Sequence, residues 1–465
     1  MFIEQIYTKC LSESAYYIES DGEAAIIDPL RDVKGYIDLA TQRGAVIKYV
    51  FETHFHADFI SGHIELASQT GASIIYGPGA MASYPITCAA DGEDFKIGRV
   101  TLKVLHTPGH TLESCCYLLL DERQNPHSVF TGDTLFVGDV GRPDLAAKDD
   151  LNMFELAAML YESLESKLKP LPNYVVVYPG HGAGSACGKA IGQESFSTIG
   201  VQKATNYAMK AASKEEFVKL VTEGLTPPPA YFFHDADVNR KGYQSTTEIV
   251  NRNLKPLSIE ETRTLLKSAQ VTVVDCRSGK DFANGFIPGS VHLGLDGPFA
   301  VTCGSLISPG VKLLLVCEPG RENEAVTRLS RIAYENVAGY LNGGFDAWKQ
   351  AGLRTDFVPC VEAEWFEENF RYTSATVLDV RNPDEWVPGF VAGAKLIELP
   401  QLEKRLGEID RDKDCFVYCA SGYRSMTAAS LLKRNGFRNV INITGGMMKI
   451  RKTAISIRQL STHPH

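Results

Sequence analysis

The chain has 465 residues, of which 44% are apolar and 22% charged, with a formal net charge of −9. That length exceeds a single hydrophobic core and predicts roughly two to four domains. The lack of a basic tract argues against a nucleic-acid partner, and the lack of any run of about 18 apolar residues argues against a membrane span. Eleven cysteines, an odd number in a long chain, do not suit a disulfide scaffold. With no leader-like N-terminus, they predict a reducing, cytoplasmic setting.

In chain order, apolar stretches at 15–18 and 23–27 flank Ser20-Asp21-Gly22, a hairpin signal. Val33 to Arg43 reads as a helix stopped by Gly44. The apolar run Val46 to Phe51 reads as a strand and delivers Thr53-His54-Phe55-His56-Ala57-Asp58-Phe59. Two histidines at i and i+2 with a carboxylate at i+4 fit a loop that wraps a cation, provided the imidazoles are neutral and the carboxylate is ionised. A helix from Ile60 to Thr70 carries His63, for which packing or capping is the expected role. Strands at 73–76, 99–105, 115–120, 128–130 and 174–178 follow. They lead into His110 of Thr107-Pro108-Gly109-His110, Asp133 of Thr131-Gly132-Asp133 and His181 of Tyr178-Pro179-Gly180-His181. Each of these side chains follows an apolar segment and sits beside glycine, the pattern of ligands carried on loops at strand ends. The series predicts two sheets packed face to face with helices outside, an αββα sandwich. Helices are expected at 151–168 and 213–223; Thr226-Pro227-Pro228-Pro229 reads as extended. The stretch from Tyr231 to Gly242 reads as a polar tail on an aromatic patch, and no chemistry is expected of His234.

Together these motifs resemble the metallo-β-lactamase superfamily over residues 1–250, with one departure: Phe59 stands where the family has a histidine that helps hold a second metal beside Asp58 and His181. The resemblance therefore implies no stable second site. In the persulfide dioxygenases of this superfamily the ligands match His54, His110 and Asp133, which implies one Fe(II) per chain. His56, Asp58 and His181 would orient those ligands. The implied reaction takes a low-molecular-weight thiol persulfide, such as glutathione persulfide, and dioxygen to sulfite and thiol. Arg142, in the stretch Gly132 to Leu145, matches an arginine that holds the substrate; the competing expectation is a salt bridge inside the loop. Asp139 and Asp144 are expected to stabilise that loop. Cys187, six residues beyond His181, is a candidate for a persulfide or regulatory disulfide, against a buried inert thiol. Two other readings stay open: a zinc-dependent thioester hydrolase resembling hydroxyacylglutathione hydrolase, and a non-enzymatic sulfur carrier or sensor.

The rest of the chain is an internal repeat at an offset of about a hundred residues, long enough to be a duplicated domain. Val273-Val274-Asp275-Cys276-Arg277 answers Val377-Leu378-Asp379-Val380-Arg381, and Gly343-Gly344 answers Gly445-Gly446. Both copies resemble rhodanese domains. The second carries Cys419-Ala420-Ser421-Gly422-Tyr423-Arg424-Ser425, similar to the sulfur-carrying loop Cys-x-x-Gly-x-Arg-Ser. Cys419 would be the nucleophile, Arg424 its activator, and Gly422 and Ser425 part of the anion cradle. Asp379 and Arg381 would brace the turn beneath. In the first copy Cys317-Glu318-Pro319-Gly320-Arg321-Glu322-Asn323 keeps the cysteine and a glycine but puts Glu322 in the place of Arg424; a structural domain is expected, with weak sulfur binding at Cys317 as the alternative. The fold class is thus α/β and α+β multidomain: a sandwich at 1–255, a degenerate rhodanese domain at 256–355 and an active one at 356–465. Sulfite or thiosulfate is the second small-molecule partner, no nucleic acid or membrane is expected, and association into a homo-oligomer is.

Overall fold

The structure, a computed structural model, describes residues 1–146, 151–268, 271–370 and 374–460. It divides into two compact units, Met1–Ile249 with Leu329–Tyr334, and Val250–Arg328 with Glu335–His465. Among the described residues no helix is long and apolar enough to cross a membrane.

The first unit contains two six-stranded sheets. One runs in sequence order through β1 (Phe2–Thr8), β2 (Glu13–Ser20), β3 (Glu23–Ile27), β4 (Val46–Phe51), β5 (Ser73–Tyr76) and β6 (Thr87–Cys88). The other runs through β7 (Asp94–Ile97), β8 (Val100–His106), β9 (Cys115–Leu120), β10 (Pro126–Gly132), β11 (Val176–Pro179) and β12 (Ser197–Thr198). The β2–β3 hairpin turns through Asp21 and Gly22, both at positive φ (53° and 79°), the geometry that matches strand twist. Central strands are buried on both faces, which is why they read as continuous apolar runs. Alternate residues of β2 serve different cores: Tyr16 and Ile18 face the layer between the sheets, whereas Ala15 and Tyr17 pack with Tyr36 and Ala40 of the helix Lys34–Arg43. In β9, Tyr117 and Leu119 join the inter-sheet core, while Cys116 and Leu118 pack with Ala157 and Leu160 of the helix Met153–Ser163. Each fully buried side chain of this kind contributes about 1.5–3 kcal/mol. This is the expected αββα sandwich.

Two helices differ from expectation. The one expected from Ile60 begins at His63, because Gly62 N donates to Pro29 O (2.7 Å) and Ser61 forms a bridge with Leu30, holding this part of the chain out of helical geometry. Tyr231–Lys241, read as a polar tail, is a helix that buries Tyr231, Phe232, Asp235 and Asn239. Half of its inward face is polar, so the apolar period that betrays a helix is missing.

The second unit holds two five-stranded sheets of identical topology. Their orders are β13-β17-β16-β14-β15 and β18-β23-β22-β19-β21. The first set comprises β13 (Pro256–Leu257), β14 (Thr272–Asp275), β15 (Val291–His292), β16 (Leu313–Val316) and β17 (Val337–Leu341). The second comprises β18 (Cys360–Val361), β19 (Thr376–Asp379), β21 (Lys395–Leu396), β22 (Cys415–Tyr418) and β23 (Val440–Ile443), with β20 (Phe390–Val391) pairing separately with β24 (Ile457–Arg458). All pairings within the two five-stranded sheets are parallel, as strand–helix alternation predicts.

Candidate metal centre and sulfur loop

Four strand ends in the first unit converge. The loop after β4 brings His54, His56 and Asp58; the loop between β8 and β9 brings His110; Asp133 directly follows β10, and His181 lies two residues beyond β11. Glycines make the approach possible. Gly132 sits at φ +47°, and a Cβ on Gly180 would lie 2.8 Å from Asp133 Oδ1.

His54, His110 and Asp133 place one ligand atom each within 4.8 Å of one another, and all three are buried. Asp133 Oδ2 lies 3.5 Å from His110 Nε2 and 3.9 Å from His54 Nε2. The far side of each ring is fixed: His110 Nδ1 meets Arg142 O at 2.9 Å, and His54 Nδ1 meets Thr53 Oγ1 at 3.0 Å. Thr53 in turn donates to both oxygens of Asp28, through Oγ1 at 2.9 Å and N at 2.7 Å. Such outer partners set the tautomer that leaves Nε2 free for a metal. Burial, then His56, His110 and His181, push the His54 pKa well down, which keeps it the neutral ligand a metal requires. Both oxygens of Asp133 are buried without a hydrogen-bond partner among the described residues. A buried carboxylate left so, facing two imidazoles, fits a divalent cation. Two imidazoles and a carboxylate with open positions suit ferrous iron and zinc alike.

The other oxygen of Asp133 opens onto a second group. Oδ1 is 3.5 Å from His181 Nε2, which is itself 3.3 Å from Asp58 Oδ2, while His181 Nδ1 meets Ser12 O at 3.1 Å. Burial opposes charge on His181, but Asp133 and Asp58 outweigh it and raise the pKa. His56 turns its Nε2 toward Asp28 (3.1 Å) and Glu52 (3.6 Å), and Phe59 covers its ring. Cys187 is buried, and its sulfur groups with Asp133 and His181 in the same way that the first three ligands group together. His56, Asp58 and His181 also place one ligand atom each within 4.8 Å of one another, so this side offers a group of three beside the one that includes Cys187.

Arg142 is placed within its loop. Its guanidinium forks onto Asp144 (2.7 and 2.8 Å) and donates to Ala186 O (3.1 Å) and Thr226 O (2.6 Å). Of the two roles weighed from sequence, the loop salt bridge is the one the geometry displays; the carbonyl of Arg142, rather than its charge, reaches the site through His110. Asp139 is likewise a loop tie, accepting from Lys189 N (2.6 Å), Ala190 N (2.5 Å) and Tyr207 Oη (2.8 Å). His63 meets Tyr84 Oη at 2.6 Å, a packing role.

Sequence reading missed Asn239. Its Nδ2 donates to His56 O and Phe59 O, both at 2.8 Å, and its Oδ1 accepts from Ser61 N at 3.0 Å. One amide thus clamps the loop carrying three of the site side chains. On the same helix Tyr231 is buried; that burial, followed by Asp58, Asp235 and Cys187, pushes its hydroxyl pKa up. Only the lone amide in a polar helix could have pointed there.

In the second unit, Cys419 directly follows β22 and the helix Tyr423–Arg434 begins four residues on, capped by Gly422 at φ +119°. Gly422 N donates to Cys419 Sγ at 3.1 Å, and Ser425 Oγ lies 3.6 Å from the sulfur. Arg424 forks onto Glu385 at 2.5 and 2.8 Å. Burial opposes its charge, and Glu385, then Cys419, raise its pKa. Asp379 and Arg381 pair at 2.7 Å beneath the loop, where Arg381 also donates to Gly389 O.

Residues 8–181 match the metallo-beta-lactamase superfamily, and residues 258–351 and 362–453 match the rhodanese-like domain. A probable hydroxyacylglutathione hydrolase of Schizosaccharomyces pombe is 34% identical over 167 residues, covering 35% of this chain but only 60% of its own length. The persulfide dioxygenase ETHE1 of Homo sapiens is 30% identical over 231 residues, 48% of this chain and 82% of its own. A crystal structure of a metallo-beta-lactamase from Staphylococcus aureus aligns with a TM-score of 0.65 at 33% identity, over 73% of this chain and 98% of that one.

Proposed function

Because the chain belongs to the metallo-β-lactamase superfamily and carries two rhodanese-like domains, we propose that it oxidises a low-molecular-weight thiol persulfide with dioxygen at one ferrous ion and passes sulfane sulfur through Cys419. The observation that supports this best is the surroundings of Asp133. One carboxylate oxygen faces the imidazoles of His54 and His110, the other faces His181, and the Cys187 thiol groups with Asp133 and His181.

His54, His110 and Asp133 would hold the iron, which when bound supplies the one-electron and dioxygen chemistry that side chains lack. The chain's own residues position and shield. Thr53 and the Arg142 carbonyl keep the two imidazoles aimed inward. The buried rings of Phe59 and Phe136 exclude water. The Asp58–His181 pair holds a proton at His181 Nε2 and can return it to a departing thiolate. Cys187 is placed to hold a sulfane sulfur beside the site. At the loop of the second unit, Cys419 Sγ attacks the outer sulfur of thiosulfate; the S–S bond breaks, sulfite leaves, and a Cys419 persulfide forms. Its negative charge lies against the Gly422 N–H and the amino end of the helix Tyr423–Arg434. The reverse step makes thiosulfate from sulfite.

A second reading, a two-zinc thioester hydrolase, draws on the hydrolase relatives and on the Asp133–His181–Cys187 group, which could hold a second ion through sulfur. Metal analysis of anaerobically purified protein, with oxygen uptake and sulfite measured against glutathione persulfide, separates the two. One iron per chain and sulfite matched to oxygen support the proposal. Two zinc ions with thioester hydrolysis under anaerobiosis overturn it.

A further inference from the structure

The repeat in the second unit allows each sulfur position to be compared with its counterpart. In the first copy β14 and β16 pair in register, Asp275 opposite Val316, and Cys276 N donates to Val316 O at 2.8 Å. The next rung places Cys276 beside Cys317. Adjacent strands lie about 4.8 Å apart, inside the roughly 4.4–6.8 Å range of Cα separations that a disulfide spans. Burial first, then the neighbouring Cys317 thiol, pushes the Cys276 pKa up. In the second copy Asp379 pairs with Tyr418, and Val380 N donates to Tyr418 O at 3.1 Å, so the neighbour of Cys419 is Val380. The first copy therefore has a thiol where the second has an aliphatic side chain, next to the position that carries sulfur.

The surrounding loops differ in the same sense. Cys419 has the Gly422 amide and Arg424 to stabilise a persulfide anion. Around Cys317, Glu322 replaces the arginine and Pro319 removes an amide donor. Arg321 is engaged by Glu324 (2.9 Å), Asp296 (2.9 Å) and Glu318 (3.7 Å). A persulfide anion there would be short-lived. Burial does not separate the copies: Cys419 is 1% exposed, Cys317 3% and Cys276 1%.

We propose that Cys317 and Cys276 form a resolving pair that accepts sulfane sulfur from a low-molecular-weight persulfide and discharges it as hydrogen sulfide, closing a disulfide between the two strand ends. This rests on the reading that persulfides are the chain's substrates, and it involves neither metal nor dioxygen. Cys317 Sγ first attacks the outer sulfur of the persulfide; the parent thiol leaves and a Cys317 persulfide forms. Cys276 Sγ then bonds to Cys317 Sγ, the bond to the outer sulfur breaks, and that sulfur leaves with the electron pair and the Cys276 proton as hydrogen sulfide. The two thiols are oxidised and the sulfane sulfur is reduced. An external thiol reopens the pair by exchange.

The test uses the full-length Cys419→Ser chain, kept strictly anaerobic, mixed with glutathione persulfide. Peptide mass spectrometry is expected to show a Cys276–Cys317 disulfide, with about one sulfide released per disulfide formed. In a Cys276→Val background, which copies the second repeat, the disulfide is lost and Cys317 keeps one extra sulfur. Two unmodified thiols in the Cys419→Ser chain, or equal sulfide release with and without Cys276, overturn the proposal. Peptide mapping of the Cys419→Ser chain decides the matter even if the valine variant does not fold. Because oxygen is absent, failure here leaves the oxidation reading standing, and failure of that reading leaves this result standing.

Discussion

The Phe59 ring lies against the His56 imidazole, with centroids 4.3 Å apart and 31° between the ring planes. The same His56 ring groups with Asp58 and His181 as possible ligands of a second ion, and Phe59 stands where the family resemblance would put one more imidazole. Phe59→His restores an imidazole there. Bound zinc after loading and desalting is expected to rise from one toward two per chain, read by elemental analysis. An unchanged ratio would show that the ring is not what limits the site.

Asn239 holds the loop by three hydrogen bonds from one side chain. Asn239→Ala is expected to weaken metal affinity by about 10–100-fold, the range for outer partners of ligands. Competition against a chromogenic chelator measures it. Sulfur transfer by Cys419 should be unaffected, which separates loss of the clamp from global unfolding.

Arg142 spends its charge on Asp144 and two carbonyls. Arg142→Ala is expected to lower stability by about 2 kcal/mol, the scale of lost charge-assisted hydrogen bonds, seen as a lower denaturation midpoint. A raised KM for persulfide with an unchanged midpoint would instead place the guanidinium on substrate.

Cys419→Ser is expected to abolish sulfur transfer from thiosulfate to cyanide while leaving oxygen uptake with glutathione persulfide intact. Loss of both activities would mean that oxidation depends on the Cys419 sulfur. Gly422→Ala should impair transfer by a different route, since φ +119° is strained for any residue with a Cβ.

His292 gives the second unit a pH dependence. Burial is the main cause pushing its pKa down from 6.5 to about 4, while its Nε2 donates to Arg277 O. The unfolded chain binds a proton near 6.5 and the folded unit does not. Stability from this group is therefore complete above pH 6.5 and is lost as pH falls toward 4, by about 3 kcal/mol in all. Urea unfolding at pH 7 and pH 5 should show the loss, and His292→Gln should flatten it.

Much of this was legible in the chain. His54, His110 and Asp133 each follow a strand whose apolar run is unmistakable, and a glycine marks the close approach at Asp133. The repeat was legible because Cys419 and its loop keep the spacing of a strand end followed by a helix start. What stayed hidden depends on distant partners. Asn239 acts across the fold from a helix with no apolar stripe. The Arg142 salt bridge was one of two expectations, but its carbonyl acceptors at Ala186 and Thr226 lie too far along the chain to be read locally. Cys187, by contrast, was marked by its place six residues beyond His181, and the fold groups its sulfur with His181 and Asp133.

The ligand set has a mechanical side. His54 hangs from one sheet of the sandwich, while His110 and Asp133 hang from the other. An ion gripped by all three is a rivet through two layers that otherwise adhere by apolar packing and a few hydrogen bonds such as Tyr117 Oη to Glu52 O. Chelation should slacken that rim first, so protease cuts in the loops bearing the three ligands should multiply long before the distant edges of the sheets give way.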